Sequence, residues 1–373
     1  MAYRHRYVDP DASGTGAGTS WTNAYTSLNA AEQAEDNSGD IRATGGSNEI
    51  VVFHCRASAG TADTAAANIS GWTTDSGGYI VVVAEAINTS YGGGESETTG
   101  TGRHVGVWTT ARYRLTVSDA TALSITEDYV SVIGLQVSTI SPSANSRHVL
   151  QVTGITATTN AIQVSTCILV GHSHATYTQY GLYIQDADAL TSVFNVLIYG
   201  ITAISSSFAC VAGGTTNNIY SCTLIGGQNA LYVSGAANTT NAKNVYGGGS
   251  SSEDFVRVSG TLNKTNCASE DQTADDTGTG ETATNCVAAA VAVNTTNFTN
   301  VTAGSEDFRL PAGSALIGAG TDTSGESAPL NFTVDIAGAT RTTTWDISAF
   351  EYISAANYLP LLIYNDTRQP TDY

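Results

Sequence analysis

Basic residues are scarce in this chain of 373 residues, and so are methionine and long apolar runs. Lysine and arginine number 14 against 33 aspartates and glutamates, which gives a formal net charge of −19 at pH 7. The two lysines, Lys243 and Lys264, cannot form the basic patch that binding to nucleic acid or to an anionic membrane surface requires. No run of about eighteen apolar residues occurs, so the sequence predicts no transmembrane helix. We therefore expect neither a nucleic-acid partner nor insertion into a membrane.

The N-terminus, which reads MAYRHRYVDPDASG, contains no continuous apolar segment of the kind that forms the core of a secretory signal. We accordingly expect a protein that acts where it folds or leaves a cell by lysis. Gly, Thr, Ser, Ala and Asn dominate the composition, whereas Leu and Met are rare. This balance favours short strands and many turns over long helices.

One apolar element recurs along the middle of the chain. It reads VIGLQV from Val132 and VSTCIL from Val164, and its last version is ATNCVA from Ala283. A second element, with versions such as HVLQV, GLYI and FACV, alternates with the first. The steps between versions of the first element shrink from 32 to 19 residues. The fourth position of the successive versions holds Leu135, Cys167, Val196, Cys222, Val245, Cys267 and Cys286.

This repeat predicts an all-β solenoid. Each coil carries at least two short strands with period-two alternation, joined by corners rich in Gly, Ser and Thr. The Leu-x-x-Leu-x-Leu pattern of leucine-rich repeats and the longer blades of propellers are both missing. Coils stacked about 4.8 Å apart would give a rod of roughly 40–50 Å for about eight to ten coils.

Four of the six cysteines share one inward position of the repeat, and the residue before that position is often Asn. A free cysteine is a small and frequently buried residue, so we expect a stacked ladder of thiols in the core. A disulfide between Cys267 and Cys286, which lie on adjacent coils, and a metal site are the alternatives. We expect the asparagines to form a second ladder, made of side-chain amides at a bend. The two ladders consist of Cys167, Cys222, Cys267 and Cys286, and of Asn195, Asn244, Asn266 and Asn285.

Both ends of a solenoid need a cover, because they otherwise expose its apolar interior. Residues 20–36 place apolar side chains from Trp21 to Ala31 at helical spacing, which predicts a capping helix. The pattern changes again after Phe308 and near the C-terminus. The expected divisions are an N-terminal strand and capping helix (1–50), solenoid coils (51–303), closing coils (304–352) and a C-terminal arm (353–373).

Both ends resemble a known superfamily. The stretch YVDPDASGTGAGTSWTNAYTSLNAA (7–31) resembles the opening of right-handed parallel β-helix proteins of the pectate-lyase-like superfamily. The stretches FRLPAGSALIGAGTD and DIAGATR…WDISAFEY are similar to the closing segment of many members. Together with the coil pattern, the resemblance covers most of the chain and implies a right-handed parallel β-helix. It departs from the superfamily at Ser348-Ala349, where a Gly usually precedes the aromatic residue, and at Ala315, near which a Pro is missing.

The superfamily includes lyases, hydrolases, surface adhesins and phage tailspikes, so the resemblance implies no single activity. Its pectate lyases use clustered Asp residues for Ca²⁺ and an Arg base on adjacent coils. The central coils here contain only Arg147 and Arg257, far apart in sequence, which argues against a lyase. The polygalacturonase-like members share Asn-Thr-Asp, Asp-Asp and Gly-His-Gly motifs, of which only the Gly171-His172 pair has a counterpart.

Three stretches contain residue types that carry chemistry. DPDASG (9–14) matches the first half of a Ca²⁺ loop, but Ser20 replaces the closing Glu, so a tight turn is the preferred interpretation of Asp9 and Asp11. The acidic run SEDQTADD (269–276) could supply a pair of glycosidase carboxylates or form a solvated loop.

The third stretch is a long corner that contains two histidines two residues apart, followed by two aspartates. Such residues can bind a metal or transfer protons, and an exposed polar corner is the alternative. Nearby tyrosines could stack on sugars. These candidates are His172, His174, Asp186 and Asp188 for catalysis, and Tyr177, Tyr180 and Tyr183 for carbohydrate binding.

We therefore expect a non-enzymatic structural protein of a tailed-phage virion, such as a decoration, fibre or spike component. The alternative is a tailspike-like β-helix that binds or degrades a polysaccharide as a glycoside hydrolase or lyase. A bacterial surface adhesin is disfavoured because no export signal is found. The expected partners are other virion proteins, further copies of the chain in an oligomer such as a trimer, and a host surface polysaccharide. The expected location is the virion, with the cell exterior or surface as the alternative, and no cofactor is expected.

Overall fold

The computed structural model describes residues 2–36, 39–140, 146–157, 161–171, 178–185, 190–201 and 206–354. In these residues the chain forms three parallel β-sheets, one of ten strands and two of seven strands. The same residues contain no helix with the length and apolarity needed to cross a membrane.

The three sheets take their strands in turn along the chain. Sheet 1 contains β1 (Ala2–Val8), β2 (Glu49–Cys55), β4 (Ile80–Val83), β7 (Val130–Ile133), β10 (Ile162–Ser165), β13 (Leu190–Phe194), β16 (Thr216–Tyr220), β19 (Thr239–Lys243), β22 (Thr261–Thr265) and β24 (Glu281–Thr284). Sheet 2 contains β5 (Arg114–Ser118), β8 (Gln136–Ile140), β11 (Ile168–Val170), β14 (Leu197–Ile201), β17 (Thr223–Gly226), β20 (Tyr246–Gly248) and β23 (Ala268–Ser269). Sheet 3 contains β3 (Ala67–Ile69), β6 (Leu123–Ile125), β9 (Arg147–Val152), β12 (Gln179–Ile184), β15 (Phe208–Ala212), β18 (Asn229–Val233) and β21 (Phe255–Arg257).

Each strand pairs in parallel with the equivalent strand of the next coil. In sheet 1, Val164 faces Val132 on one side and Val193 on the other, and Val193 faces Ile219. Crossovers between parallel strands of one sheet are right-handed in nearly all proteins. The chain is a right-handed parallel β-helix, and the three parallel sheets confirm the fold class predicted from the repeat and from the resemblance.

The core is built from the inward rows of the three sheets. The fourth position of the sequence repeat lies just after each sheet 1 strand, at the turn into sheet 2. Its residues Leu135, Cys167, Val196, Cys222, Val245 and Cys267 are all 0% exposed. Cys286, on the last coil, is only partly buried, and all six cysteines of the chain are free.

The position before each of these residues adopts a left-handed backbone. Its φ is +52° at Asn195, +55° at Asn244, +49° at Asn266 and +53° at Asn285. Only Gly avoids a steric penalty there, and Asn is the commonest substitute because its short polar side chain tolerates this region. The recurring Asn is therefore explained by the backbone of the corner between sheets 1 and 2.

The predicted amide ladder lies elsewhere. Asn241 donates to Asn218 at 2.9 Å, and Asn263 donates to Asn241 at 3.0 Å, on the outer face of sheet 1. At the corners, by contrast, the amides of Asn195 and Asn244 bind the C-terminal segment. The Asn266 amide likewise donates to the Ala319 carbonyl, and between the corners themselves the Asn244 amide reaches Ser221 Oγ of the preceding coil at 3.5 Å.

A short helix, α1 (Leu28–Glu35), covers the N-terminal end as predicted, with Ser27 as its N-cap. Leu28 and Ala31 are fully buried, and the Leu28 N–H donates to the buried carboxylate of Asp63 at 2.7 Å. The helix begins later than the predicted residue 20. The backbone of Tyr25 instead exchanges hydrogen bonds with β1, which keeps the preceding residues extended.

Residues 304–352 add no coils, in contrast to the prediction. This segment folds back along the outer face of sheet 2, which is apolar and requires a cover. Phe308, Leu316 and Phe350 pack against outward side chains of that sheet, such as Tyr199 and Tyr246. The predicted arm lies outside the described residues from 355 onward.

Candidate functional site

A groove of about 1060 Å³ lies on the outside of the β-helix. One wall is the outer face of sheet 2 at Val170–Gly171 and Tyr199–Gly200. The opposite wall is formed by residues 299–307, at the start of the fold-back segment, and Trp108 lies at one end. The groove thus exists because the C-terminal segment returns along the coils.

Two glycines on adjacent coils form its floor. A Cβ at Gly171 would lie 2.3 Å from Ile201 Cδ1 and 3.0 Å from the Gly200 carbonyl oxygen. Gly200 has a φ of +73°, and its Cβ would lie 2.9 Å from the Gly171 carbonyl oxygen. A side chain at either position would push the strand ends apart, so the glycines keep the groove deep and its floor close to the backbone.

Aromatic rings supply the apolar part of the groove. Tyr199 is 5% exposed, and its ring contacts that of Phe308 with centroids 5.3 Å apart. Burial, followed by the negative charge of Glu306, raises the pKa of Tyr199 well above its usual value, so its hydroxyl stays protonated at neutral pH. Trp108 is partly buried and packs against the same apolar cluster.

The wall formed by residues 299–307 contains two carboxylates, Asp307 and Glu306, which have different hydrogen-bond partners. Asp307 is held by Arg309, whose Nε donates to both carboxylate oxygens at 2.9 and 3.1 Å. One oxygen of Glu306 accepts a hydrogen bond from the Gly304 N–H at 2.9 Å. Asn300 uses its amide within the same loop, donating to the Ser305 carbonyl at 2.7 Å. These hydrogen bonds fix the conformation of the wall. Among the described residues, Asp307 has a cationic partner and Glu306 has none.

The groove continues toward the N-terminal coils. A second depression of about 280 Å³ shares Trp108, Val170 and Gly171 with the groove and adds Arg114 and the hydroxyl-bearing side chains of Thr116 and Ser138. A ligand that filled both would lie along the outside of sheet 2 and cross several coils. Aromatic rings beside hydroxyl and carboxylate oxygens are the surroundings that suit a chain of sugars.

Two of the tyrosines predicted to bind carbohydrate belong to an aromatic ladder on sheet 3. The rings of His148 and Tyr183 are stacked with centroids 4.5 Å apart and 7° between their planes. Tyr180 contacts Tyr183 at 4.9 Å and Phe208 at 5.7 Å, and Phe208 stacks on Tyr232 at 4.3 Å. The His148–Tyr183 and Phe208–Tyr232 contacts are face-to-face stacks, so one face of each of these four rings is covered by its neighbour.

The candidate metal ligands at the N-terminus bind N–H groups. Asp9 is 1% exposed, and it accepts hydrogen bonds from Arg56 Nε at 2.8 Å and from the Ser58 N–H at 3.1 Å. Asp11 accepts from the Ala59 and Thr61 N–H groups, and these bonds lower its pKa despite the cost of burial. Both aspartates shape a turn, and in the part of the chain that the structure describes no cluster of three or more His, Cys, Asp or Glu could hold a metal.

The acidic run at 269–276 also has a structural role. Asp254 accepts hydrogen bonds from the Glu270 and Asp271 N–H groups at 2.9 and 3.1 Å. Burial raises the pKa of Asp254 to about 6, and Thr273 holds that of Asp271 below its usual range. The remaining candidates, His172, His174, Tyr177, Asp186 and Asp188, lie outside the described residues.

Sequence reasoning missed one polar cluster on the outer face of sheet 1. His54 is 0% exposed, and its Nδ1 lies 2.9 Å from Glu85 Oε1 while its Nε2 lies 3.0 Å from His5 Nδ1. The Tyr91 N–H also donates to Glu85, at 2.5 Å, so the cluster fastens the loop that follows β4 onto the sheet. The sequence feature that could have indicated this cluster is the histidine within the apolar run VVFHC.

Comparisons with known proteins do not assign the chain to a family. No family model and no curated protein matches the chain. Among solved structures it is similar to one described as "Crystal structure of pectate lyase Pel9A", with 13% identity over 95% of this chain and 97% of that chain, and a TM-score of 0.34. The class that the structure defines is thus a right-handed parallel β-helix with a lateral groove, and it rests on the three parallel sheets.

Proposed function

We propose that this β-helix is a non-enzymatic scaffold that binds a neutral polysaccharide in the groove beside Trp108. The observation that carries the proposal is the groove itself, in which the partly exposed indole of Trp108 lies next to hydroxyl and carboxylate oxygens. Aromatic rings pack against the C–H faces of sugars, and the oxygens accept hydrogen bonds from sugar hydroxyls.

Charge favours a neutral ligand over a polyanion. The chain carries a net charge of −19, and Glu306 projects a negative charge into the groove. The neighbouring cations are engaged: Arg309 pairs with Asp307, and Arg114, which lines the second depression, donates to the Gly60 and Thr110 carbonyls. An anionic chain such as polygalacturonate would be repelled there.

The groove favours binding over cleavage. Glycoside hydrolysis generally requires two carboxylates placed as acid and base or as acid and nucleophile. Of the two carboxylates in the described lining, Asp307 is tied to Arg309, which leaves Glu306 without a second reactive carboxylate.

Affinity gel electrophoresis tests this proposal. The probes are soluble neutral polysaccharides (a β-glucan, a galactomannan and dextran), with polygalacturonate as the anionic comparison. We expect retardation by at least one neutral polymer, a loss of about tenfold in affinity for Trp108→Leu, and no release of reducing ends. Tyr3→Leu, which removes a 43% exposed tyrosine far from the groove, is the matched control and should bind normally.

Two results would overturn the proposal. Neutral polymers that leave the wild-type mobility unchanged would remove the binding function, and so would a Trp108→Leu variant with unchanged affinity. Release of oligosaccharides would instead support the enzymatic alternative, a polysaccharide-degrading spike. Thermal unfolding of each variant shows whether a loss of binding reflects a loss of fold.

The setting we propose is the particle of a tailed phage, with a cell exterior or surface as the alternative. A filled interior and carboxylates committed to internal hydrogen bonds suit a rigid spacer, and further copies of the chain, as in a trimer, are the proposed partners. Mass spectrometry of purified particles, for a phage whose genome encodes the chain, should detect it. Its consistent absence from such particles would refute this setting, and light scattering of the purified protein measures the oligomer.

A further inference from the structure

The last coil brings two thiols together at the end of the rod. Strands β22 and β24 pair with Thr265 opposite Thr284, so Cys267 and Cys286 occupy equivalent positions two residues later. The Cys267 N–H donates to Cys286 Sγ at 3.4 Å, while the Cys267 thiol lies within hydrogen-bond distance of the Ala242 and Thr265 carbonyls at 3.4 and 3.5 Å. Equivalent residues of adjacent parallel strands lie about 4.8 Å apart, within the Cα separation of about 4.4–6.8 Å that a disulfide spans.

The two thiols differ in exposure. Cys267 is completely buried, as are the four cysteines that precede it in the chain. Strand β24 is the last strand of sheet 1 in the part of the chain that the structure describes, and Cys286, just after it, is only partly buried. This contrast separates Cys286 from the thiols that have a packing role alone.

The environment also makes the two sulfurs chemically different. The hydrogen bond from the Cys267 thiol, the Cys267 N–H and the positive charge of Lys264 together lower the pKa of Cys286 to about 7. Burial raises the pKa of Cys267 well above its usual value. Cys286 therefore ionises more readily than Cys267, which stays a protonated thiol.

We propose that Cys286 is a reactive thiolate toward hydroperoxides and that Cys267 is its resolving thiol. The Cys286 sulfur attacks one oxygen of hydrogen peroxide, the O–O bond breaks, and hydroxide leaves a sulfenic acid behind. The Cys267 sulfur then attacks the Cys286 sulfur, the S–O bond breaks, and the departing hydroxide takes the Cys267 proton to form water. The pair loses two electrons, the peroxide gains them, and a disulfide joins the last two coils.

The product would stabilise the C-terminal end of the β-helix. The inward positions of β24 are Glu281 and Ala283, which are partly exposed, so the final coil has little apolar core beneath it. Its main polar anchor is Lys264, whose Nζ donates to the Thr273 carbonyl at 2.8 Å and lies 3.3 Å from Glu281. A covalent link to the preceding coil would oppose fraying of this end.

Treatment of the reduced full-length protein with hydrogen peroxide tests the proposal. We expect the wild type to become lighter by two hydrogen atoms, to keep four of its six thiols open to alkylation after unfolding, and to yield a Cys267–Cys286 cross-linked peptide. The Cys267→Ala variant should stop at a Cys286 sulfenic acid that dimedone traps, and Cys286→Ser should react at least about tenfold more slowly. Cys222→Ala, which alters a buried thiol elsewhere in the core, should behave like the wild type.

A second measurement keeps the test independent of folding defects. In the native wild type, Cys286 should be alkylated by iodoacetamide at least about tenfold faster than any other cysteine, as peptide mapping shows. An oxidised wild type that contains a different disulfide, or a Cys286 that reacts no faster than the buried thiols, would overturn the proposal.

Discussion

Arg341 donates a hydrogen bond from Nη2 to Oδ1 of Asn195 at 2.9 Å, which connects the fold-back segment to a corner 146 residues earlier in the chain. The amide nitrogen of Asn195 donates in turn to the Val334 carbonyl at 2.8 Å. Asn195 therefore has two roles, since its backbone makes the left-handed corner and its side chain holds the segment that closes the groove. A corner glycine could perform only the first role.

Replacing Arg341 should release the fold-back segment. The guanidinium is buried, lies 3.4 Å from Glu351 and donates to the carbonyls of Ser348 and Ala349. Arg341→Ala leaves Glu351 buried without its partner, and we expect a loss of about 3–5 kcal/mol of unfolding free energy. Denaturant unfolding measures the loss, and limited proteolysis should cut first within residues 316–352.

The control for this variant is Arg42→Ala. Arg42 forms an exposed ion pair with Asp40, with 41% and 37% of the two side chains accessible. Solvent screens such pairs, so the unfolding midpoint and the proteolysis pattern should stay as in the wild type. Equal effects of the two substitutions would show that the Arg341 contacts do not hold the segment.

Substitutions at Asn244 separate the two roles of a corner asparagine. Asn244 has a φ of +55°, donates to the Thr321 carbonyl at 2.7 Å and accepts from the Thr321 N–H at 2.8 Å. Asn244→Gly keeps the backbone conformation and should cost about 1–3 kcal/mol for two lost hydrogen bonds. Asn244→Ala should cost about 1–2 kcal/mol more, because alanine is strained in the left-handed region.

Equilibrium unfolding in urea measures the loss of unfolding free energy in the Asn244→Gly and Asn244→Ala variants. The expected order of stability is wild type, then the glycine variant, then the alanine variant. If the alanine variant proved as stable as the glycine variant, the corner backbone would not explain the recurring Asn.

The stability of the aromatic ladder should depend on pH through His148. Burial, together with the charge of Arg147, lowers the pKa of His148 from its usual 6.5 to about 4. Between these values the unfolded chain binds a proton that the native protein does not, so stability falls as the pH drops from about 6.5 to about 4. His148→Phe keeps a ring against Tyr183 and should remove this part of the pH dependence.

The free energy of unfolding is measured for the wild type and for His148→Phe at pH 7 and at pH 5. The wild type should lose stability relative to His148→Phe on acidification, and the other titrating groups cancel in the difference. A difference that stays constant between the two pH values, or that changes in the opposite direction, would contradict the assigned pKa of His148.

The coils were predictable from sequence because each inward row repeats the same residue types. Val132, Val164 and Val193 face one another on successive coils, and period-two alternation reveals such rows directly. The groove was not predictable, since Trp108 and Glu306 are almost two hundred residues apart and meet only through the fold-back segment. No local pattern specifies that segment's position, which depends on the apolar outer face of sheet 2.

The corner asparagines show a second limit of sequence reasoning. An Asn at a fixed interval is compatible with an amide ladder and with a left-handed corner, and the two predict the same spacing. The structure separates them because φ is positive at Asn195, Asn244, Asn266 and Asn285, while the ladder consists of Asn218, Asn241 and Asn263.

The reactivity of Cys286 should depend more strongly on Cys267 than on Lys264. The hydrogen bond from the Cys267 thiol is the largest cause of the lowered pKa of Cys286, and the charge of Lys264 is a smaller one. Cys267→Ala should therefore move the midpoint of the alkylation rate of Cys286 from pH about 7 toward the usual value of 9.0, because its thiolate loses a donor. Lys264→Met should shift the midpoint in the same direction but less, and iodoacetamide rates measured across this pH range give both midpoints. A larger shift for the lysine variant would mean that charge, rather than the paired thiol, sets the reactivity of Cys286.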